Sequence, residues 1–130
     1  MTIEWFDPKL GTPSVSIAEY GLTFNKAAVE IMSNPSRVLL GFDHEKKIVV
    51  VKPLYHPSNE ETNKSFSFAE RERSGYVRIA SKEFIKFIIR YFPGIEINKT
   101  IRCLARWDDK EKMLLFDLVT EITESKSATE

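Results

Sequence analysis

Polar and apolar residues alternate through Ser14-Val15-Ser16-Ile17-Ala18, the period of a strand with one face buried. Gly21 marks a turn, and Leu22 to Phe24 reads as a second short strand. Asn25 is placed to cap a short helix over Lys26 to Met32, which Asn34-Pro35 stops. Alternation resumes from Arg37 to Phe42, with Val38, Leu40 and Phe42 on one face. After the polar turn Asp43-His44-Glu45-Lys46 comes a strand over Lys47 to Lys52 carrying Ile48-Val49-Val50-Val51, which makes a β-hairpin. Pro53 to Lys64 is a polar connector that leaves His56 and the pair Glu60-Glu61 in solvent.

The plan then repeats. A strand over Ser65 to Glu70, a charged turn over Arg71 to Gly75 and a strand over Tyr76 to Ala80 lead into a helix capped by Ser81 and reaching about Phe92. In that helix Phe84, Phe87, Ile88 and Tyr91 recur at i, i+3, i+4 and i+7, while Lys82, Lys86 and Arg90 hold the opposite side. Pro93-Gly94 ends it. Thr100 to Trp107 and Lys112 to Val119 form a second hairpin around Asp108-Asp109-Lys110-Glu111. Met1 to Pro13 is a lead-in broken by Pro8, Gly11 and Pro13, with Trp5 and Phe6 to pin it. The tail after about Thr123 is polar and predicted to be disordered.

The two halves also echo each other in sequence. Ser14-Val15-Ser16-Ile17-Ala18-Glu19 returns 51 positions later as Ser65-Phe66-Ser67-Phe68-Ala69-Glu70, and Arg37-Val38-Leu39-Leu40-Gly41-Phe42-Asp43 returns 65 positions later as Arg102-Cys103-Leu104-Ala105-Arg106-Trp107-Asp108. A supersecondary unit used twice fixes an architecture. The expected fold is therefore mostly β (α+β): two β-β-α-β-β repeats forming a pseudo-two-fold, barrel-like single domain over 1–122. Repeat one spans about 14–53, a linker 54–64 and repeat two about 65–119. Neither repeat is long enough to bury its apolar face alone.

Charge narrows the function classes. Lys plus Arg and Asp plus Glu are equal at 19 each, so no global positive field draws the chain to nucleic acid, and any such contact needs a local patch. The single cysteine, Cys103, allows no intramolecular disulfide and reads as a small buried residue on a strand. His44 and His56 lack metal-ligand spacing, and the five glycines form no phosphate loop. Asp43, Asp108 and Asp109 read as turn residues capping local amides. No cofactor, no metal and no enzymatic activity are expected. An N-terminus carrying Glu4 and Asp7 is not expected to act as a signal peptide, and no apolar run approaches the roughly 20 residues that span a bilayer. A cytoplasmic protein with no membrane association is expected.

The order of elements resembles the SpoVT/AbrB-like swapped-hairpin domain of bacterial and archaeal transcription factors and antitoxins. Thr23-Phe24-Asn25-Lys26 and Arg78-Ile79-Ala80-Ser81 stand at the strand-to-helix steps, and Asp43-His44-Glu45-Lys46 and Asp108-Asp109-Lys110-Glu111 at the hairpin turns. The family's proline is missing at both steps, where Asn25 and Ala80 stand instead. That family usually builds its barrel from two chains, so the resemblance implies a pseudo-dimer within one. It further implies basic residues on the first strands and their turn facing a DNA duplex. Here the first copy offers Glu19-Tyr20-Gly21, while the second offers Arg71 and Arg73, with Arg78 on the next strand.

The candidate nucleic-acid contacts are Arg71, Arg73, Arg78, Lys82 and Arg102, with Lys86 and Arg90 on the same helix face as Lys82. Arg102 and Arg106 share a strand phase, away from Trp107. These cations belong equally to a solvated surface interspersed with Glu70, Glu72 and Glu83. Phe66, Phe68, Phe84, Phe87 and Trp107 fall on inward phases, whereas Trp5, Phe6 and Tyr55 stand outside the pattern as candidates for a partner contact or a homodimer seam. Two function classes follow: a duplex-DNA-binding transcriptional regulator working through the second repeat, or a protein-interaction module or antitoxin-like partner without DNA affinity.

Overall fold

Alternating segments become strands and the capped segments become helices in the computed structural model, which describes residues 11–92 and 99–117 together with the isolated positions 3, 5 and 8. In chain order the elements are β1 (Ser14–Ala18), β2 (Gly21–Phe24), α1 (Lys26–Ile31), β3 (Arg37–Asp43) and β4 (Ile48–Leu54). These are followed by α2 (Asn59–Lys64), β5 (Phe66–Ser67), a 3₁₀ turn (Ala69–Arg71), β6 (Glu72–Arg73) and β7 (Tyr76–Ala80). Last come α3 (Lys82–Ile89), β8 (Ile101–Asp108) and β9 (Met113–Phe116).

The strands form one antiparallel nine-stranded sheet, in the order β5-β3-β4-β9-β8-β1-β2-β7-β6, curled into a half-barrel. β8 makes the curl. Its first residues, Ile101 to Leu104, pair with β1, and its last, Ala105 to Asp108, pair with β9 on the other side. The cross-strand pairs include Ser16↔Arg102 and Val15↔Cys103 between β1 and β8, and Ser67↔Arg37 and Phe66↔Val38 between β5 and β3.

One face of the curl is the core. Val15, Ile17, Phe24, Val38, Val49, Val51, Phe68, Val77, Cys103, Leu114 and Phe116 are fully buried there, drawn from both halves of the chain. Cys103 is the small buried residue that its strand position predicted. The Phe24 and Phe68 rings meet edge to face at 5.1 Å, joining the halves at the centre.

Both predicted caps form. The Asn25 side-chain oxygen accepts from Ala28 N at 2.9 Å and from Ser14 N at 3.0 Å, while its Nδ2 donates to the Thr12 carbonyl, so one residue starts α1 and fastens β1 beside it. Ser81 Oγ accepts from Phe84 N to start α3, which ends at Ile89 before the expected Phe92. Asp43 Oδ1 accepts from the amides of Glu45 and Lys46, and Asp108 Oδ1 from those of Lys110 and Glu111. Each hairpin closes through a residue in the left-handed region, Lys47 and Lys112. The backbone amide of Lys46, above all, holds the Asp43 carboxyl below the ordinary aspartate value of 3.8. An NMR titration of that carboxyl should therefore give a midpoint below 3.8, and the turn should loosen only as acid protonates it.

Four expectations are corrected. The strand expected over Ser65 to Glu70 is only Phe66–Ser67. At Phe68 the backbone leaves strand geometry, and the 3₁₀ turn carries the chain from β3 to a new partner, β7. The charged turn expected over Arg71 to Gly75 is correspondingly only Ser74-Gly75, with Glu72 and Arg73 paired in β6. The polar connector holds a helix, α2, because Ser58 and Glu61 form a reciprocal capping box. Asp109 caps no amide: its carboxylate pairs with Lys112 at 2.9 Å, and that contact lowers its pKa. Phe6, the strand end at Val119 and the tail beyond Thr123 lie outside the described residues.

Candidate nucleic-acid interface

The outward face of β8, β1, β2 and β7 carries a row of directly paired residues. Arg102 pairs with Ser16, Ser16 with Thr23, and Thr23 with Arg78. Directly opposed residues of antiparallel strands point to the same face, so all four share one surface, away from the buried Val15, Val77 and Cys103. At about 4.8 Å per strand, Arg102 and Arg78 stand roughly 14 Å apart along the row. Arg71 continues it beyond β7, at the end of the 3₁₀ turn.

Three of the predicted arginines converge. Arg71, Arg73 and Arg78 line a groove of about 350 Å³ together with Thr23 and Tyr76. The Arg78 guanidinium lies over the Tyr20 ring, 4.6 Å from its centroid, an arrangement that holds the cation outward without neutralising it. Arg73 Nη1 donates to the Glu70 and Glu72 carbonyls, leaving its other nitrogens as donors. Lys26, the first residue of α1, extends over Gly75 and toward the Tyr76 ring, with its Nζ 6.0 Å from the centroid. A second half's turn is thus covered by a first half's lysine.

Among the described residues no carboxylate forms an ion pair with these arginines. Glu72 accepts from the Gly75 amide and so is used to close the β6–β7 turn, where Ser74 and Gly75 take the positive φ angles of a tight hairpin. Among the described residues the ion pairs are Lys64–Glu60, Lys86–Glu83 and Lys112–Asp109, all exposed, and none involves an arginine.

The other candidates fall elsewhere. Arg102 shares the face but stands at the far end of the row, its Nε donating to Ser14 Oγ at 3.2 Å. Lys82 opens α3, is exposed, and is not part of the groove lining. Lys86 is engaged with Glu83. Tyr55, a candidate for a partner contact, donates its hydroxyl to the Met32 carbonyl at 2.6 Å, though its ring stays 47% exposed; Trp5 is 82% exposed. Sequence reasoning missed Tyr20, Thr23, Lys26 and Tyr76. The available signal was a tyrosine or glycine in each strand-to-strand turn, which gains meaning only once β2 and β7 are known to be neighbours.

A second groove, of about 500 Å³, lies at the tip of the β8–β9 hairpin between Arg106, Trp107, Asp108, Asp109, Lys110 and Leu115. Its two carboxylates make it a poor anion site. Among the described residues no group of three or more His, Cys, Asp or Glu side chains could hold a metal ion, and no helix is long and apolar enough to cross a membrane. Compared with known proteins, the chain matches no family model, no curated protein and no solved structure.

Proposed function

We propose that this chain is a duplex-DNA-binding transcriptional regulator of the SpoVT/AbrB-like kind, folded as two diverged copies of the swapped-hairpin unit around a pseudo-two-fold axis. The strand registers support the architecture. Displacing β1 by 51 positions and β8 by 65 turns Ser16↔Arg102 and Val15↔Cys103 into Ser67↔Arg37 and Phe66↔Val38, and both pairs form. A side-chain contact follows the same rule: Arg102 Nε donates to Ser14 Oγ, and Arg37 Nε to Ser65 Oγ. The hairpin contacts of Asp43 and Asp108 agree as well. Farther along, Ala18↔Gly21 corresponds to Arg73↔Tyr76 at a displacement of 55, because the 3₁₀ turn lengthens the second copy. The copies interleave through β2–β7 and β4–β9 rather than lying side by side.

The observation that carries the function is the convergence of Arg71, Arg73 and Arg78 on one face, with no ion-paired carboxylate among the described residues. Guanidinium groups so arranged suit backbone phosphates, which supply position and most of the affinity. Ser16 and Thr23 add hydroxyls beside them on the same face. This reading makes the chain a non-enzymatic binding protein and carries a cytoplasmic location with it.

A salt titration of duplex binding tests it. Affinity should fall linearly in log–log form with salt, and Arg71→Ala plus Arg73→Ala should weaken binding at least about tenfold. The pair should also flatten the slope by about two, near 0.9 for each phosphate that is no longer neutralised. No binding at about 50 mM salt, with a protein partner recovered instead, would favour the interaction-module reading.

A further inference from the structure

We infer that a single chain grips its duplex from one side of the pseudo-two-fold axis, so that its preferred site is non-palindromic; this rests on the duplex-binding reading above. The axis passes between Thr23 and Arg78, which correspond to each other at the displacement of 55 and also pair directly. On one side of it stand Ala18, which is buried, and Thr23, and their counterparts on the other side are Arg73 and Arg78; Arg71 ends the 3₁₀ turn that only this second side has, while Ser16 corresponds to Ser67. A buried methyl group and one hydroxyl on one side thus answer to a groove lined by three guanidiniums on the other.

The supports under these groups are equally unlike. Arg78 rests on Tyr20, whose counterpart is Gly75, so the opposite side has no ring beneath it. Tyr76 lies in the groove beneath Lys26, and its counterpart is Gly21. Arg102 is a cation on the hydroxyl side whose Nε is already held by Ser14, as its counterpart Arg37 is held by Ser65. A reader with true two-fold symmetry puts identical groups on phosphates related by the axis, which forces its operator to be palindromic. Here the same backbone symmetry carries different chemistry on its two sides, and the operator is freed from that requirement.

Two measurements on the full chain test this. Selection from a random-sequence duplex pool should enrich sites without inverted symmetry, and phosphate-ethylation interference should mark one half of the bound site. Ser16→Arg plus Thr23→Arg, both at half-buried outward positions, should spread the interference to both halves and steepen the salt slope by about two. Interference symmetric about a dyad with the parent chain, or two chains closing on a palindrome, overturns the inference and leaves duplex binding standing. Failure of the parent chain to bind any duplex in the pool removes the duplex-binding reading and this inference together. The parent footprint decides the matter even where the double variant does not fold.

Discussion

Phe68→Ala is expected to cost about 3–5 kcal/mol, as for other buried phenylalanines cut to alanine, and to loosen both halves of the chain in one transition. The side chain is fully buried, and its ring meets Phe24 of the other half edge to face. The backbone at the same point is shared as well. Phe68 N donates to the Ser36 carbonyl at 2.9 Å and Ala69 N to the Pro35 carbonyl at 3.0 Å, so the residue where the chain changes partner is fastened to the opposite half. A domain of this size has a total stability of roughly 5–15 kcal/mol, so the loss is a large share of it. Native-state hydrogen exchange gives the check. Amides of Val49 and Val51 in β4 should lose protection together with those of Leu114 and Phe116 in β9. Protection lost in β9 and kept in β4 would mean two separable cores, and the picture of one interleaved body would fall.

The same residue marks the limit of what the sequence carried. Ser65-Phe66-Ser67-Phe68 keeps a strict period of two, and both phenylalanines face inward as predicted. Periodicity reports which face a residue takes, but it is silent about which strand lies alongside. The chain leaves β3 for β7 within that run, and nothing in the alternation changes there. Helix α2 escaped for the opposite reason. It buries no residue, so it has no apolar stripe to detect, and its signal lay only in the reciprocal Ser58 and Glu61 contacts. The hairpins were legible because an aspartate at each turn and the apolar runs beside it, Ile48 to Val51 in one and Met113 to Phe116 in the other, act locally.

The candidate site divides along the same line. Arginine is visible in a sequence, and Arg71, Arg73 and Arg78 of the second copy are read from it directly. Their meeting with Thr23 depends on the β2–β7 register, a contact between residues 55 positions apart. Lys82 was grouped with the arginines by sequence proximity, yet the turn at Ser81 sends it onto a helix outside the groove. Zero net charge argued weakly against nucleic acid because it averages over faces. Among the described residues the ion pairs sit on α2, α3 and the β8–β9 turn, away from the arginine row.

Gly21→Ala is expected to cost about 3 kcal/mol or more and, in whatever fraction stays folded, to disable the arginine face. Gly21 takes φ +153, and a Cβ there would overlap the Ile79 carbonyl oxygen and lie 2.9 Å from Ser81 N and 3.0 Å from the Ala80 Cα. All three obstacles are backbone, so no side chain can swing away. The strain can be relieved only by moving β2 off β7, starting at the Gly21↔Ala80 pair and working toward Thr23↔Arg78. The Ser81 N to Tyr20 O hydrogen bond goes with it, and so does the tyrosine on which Arg78 rests. At roughly 4 °C per kcal/mol for a chain of this length, the melting temperature should fall by about 12 °C or more. Gly41→Ala is the matched control, since a Cβ at Gly41 meets nothing within 4 Å, and it should stay within about 1 kcal/mol of the parent. Equal melting of Gly21→Ala and the parent chain would mean that β2 and β7 do not approach so closely, and the shared row of Thr23 and Arg78 would have to be abandoned.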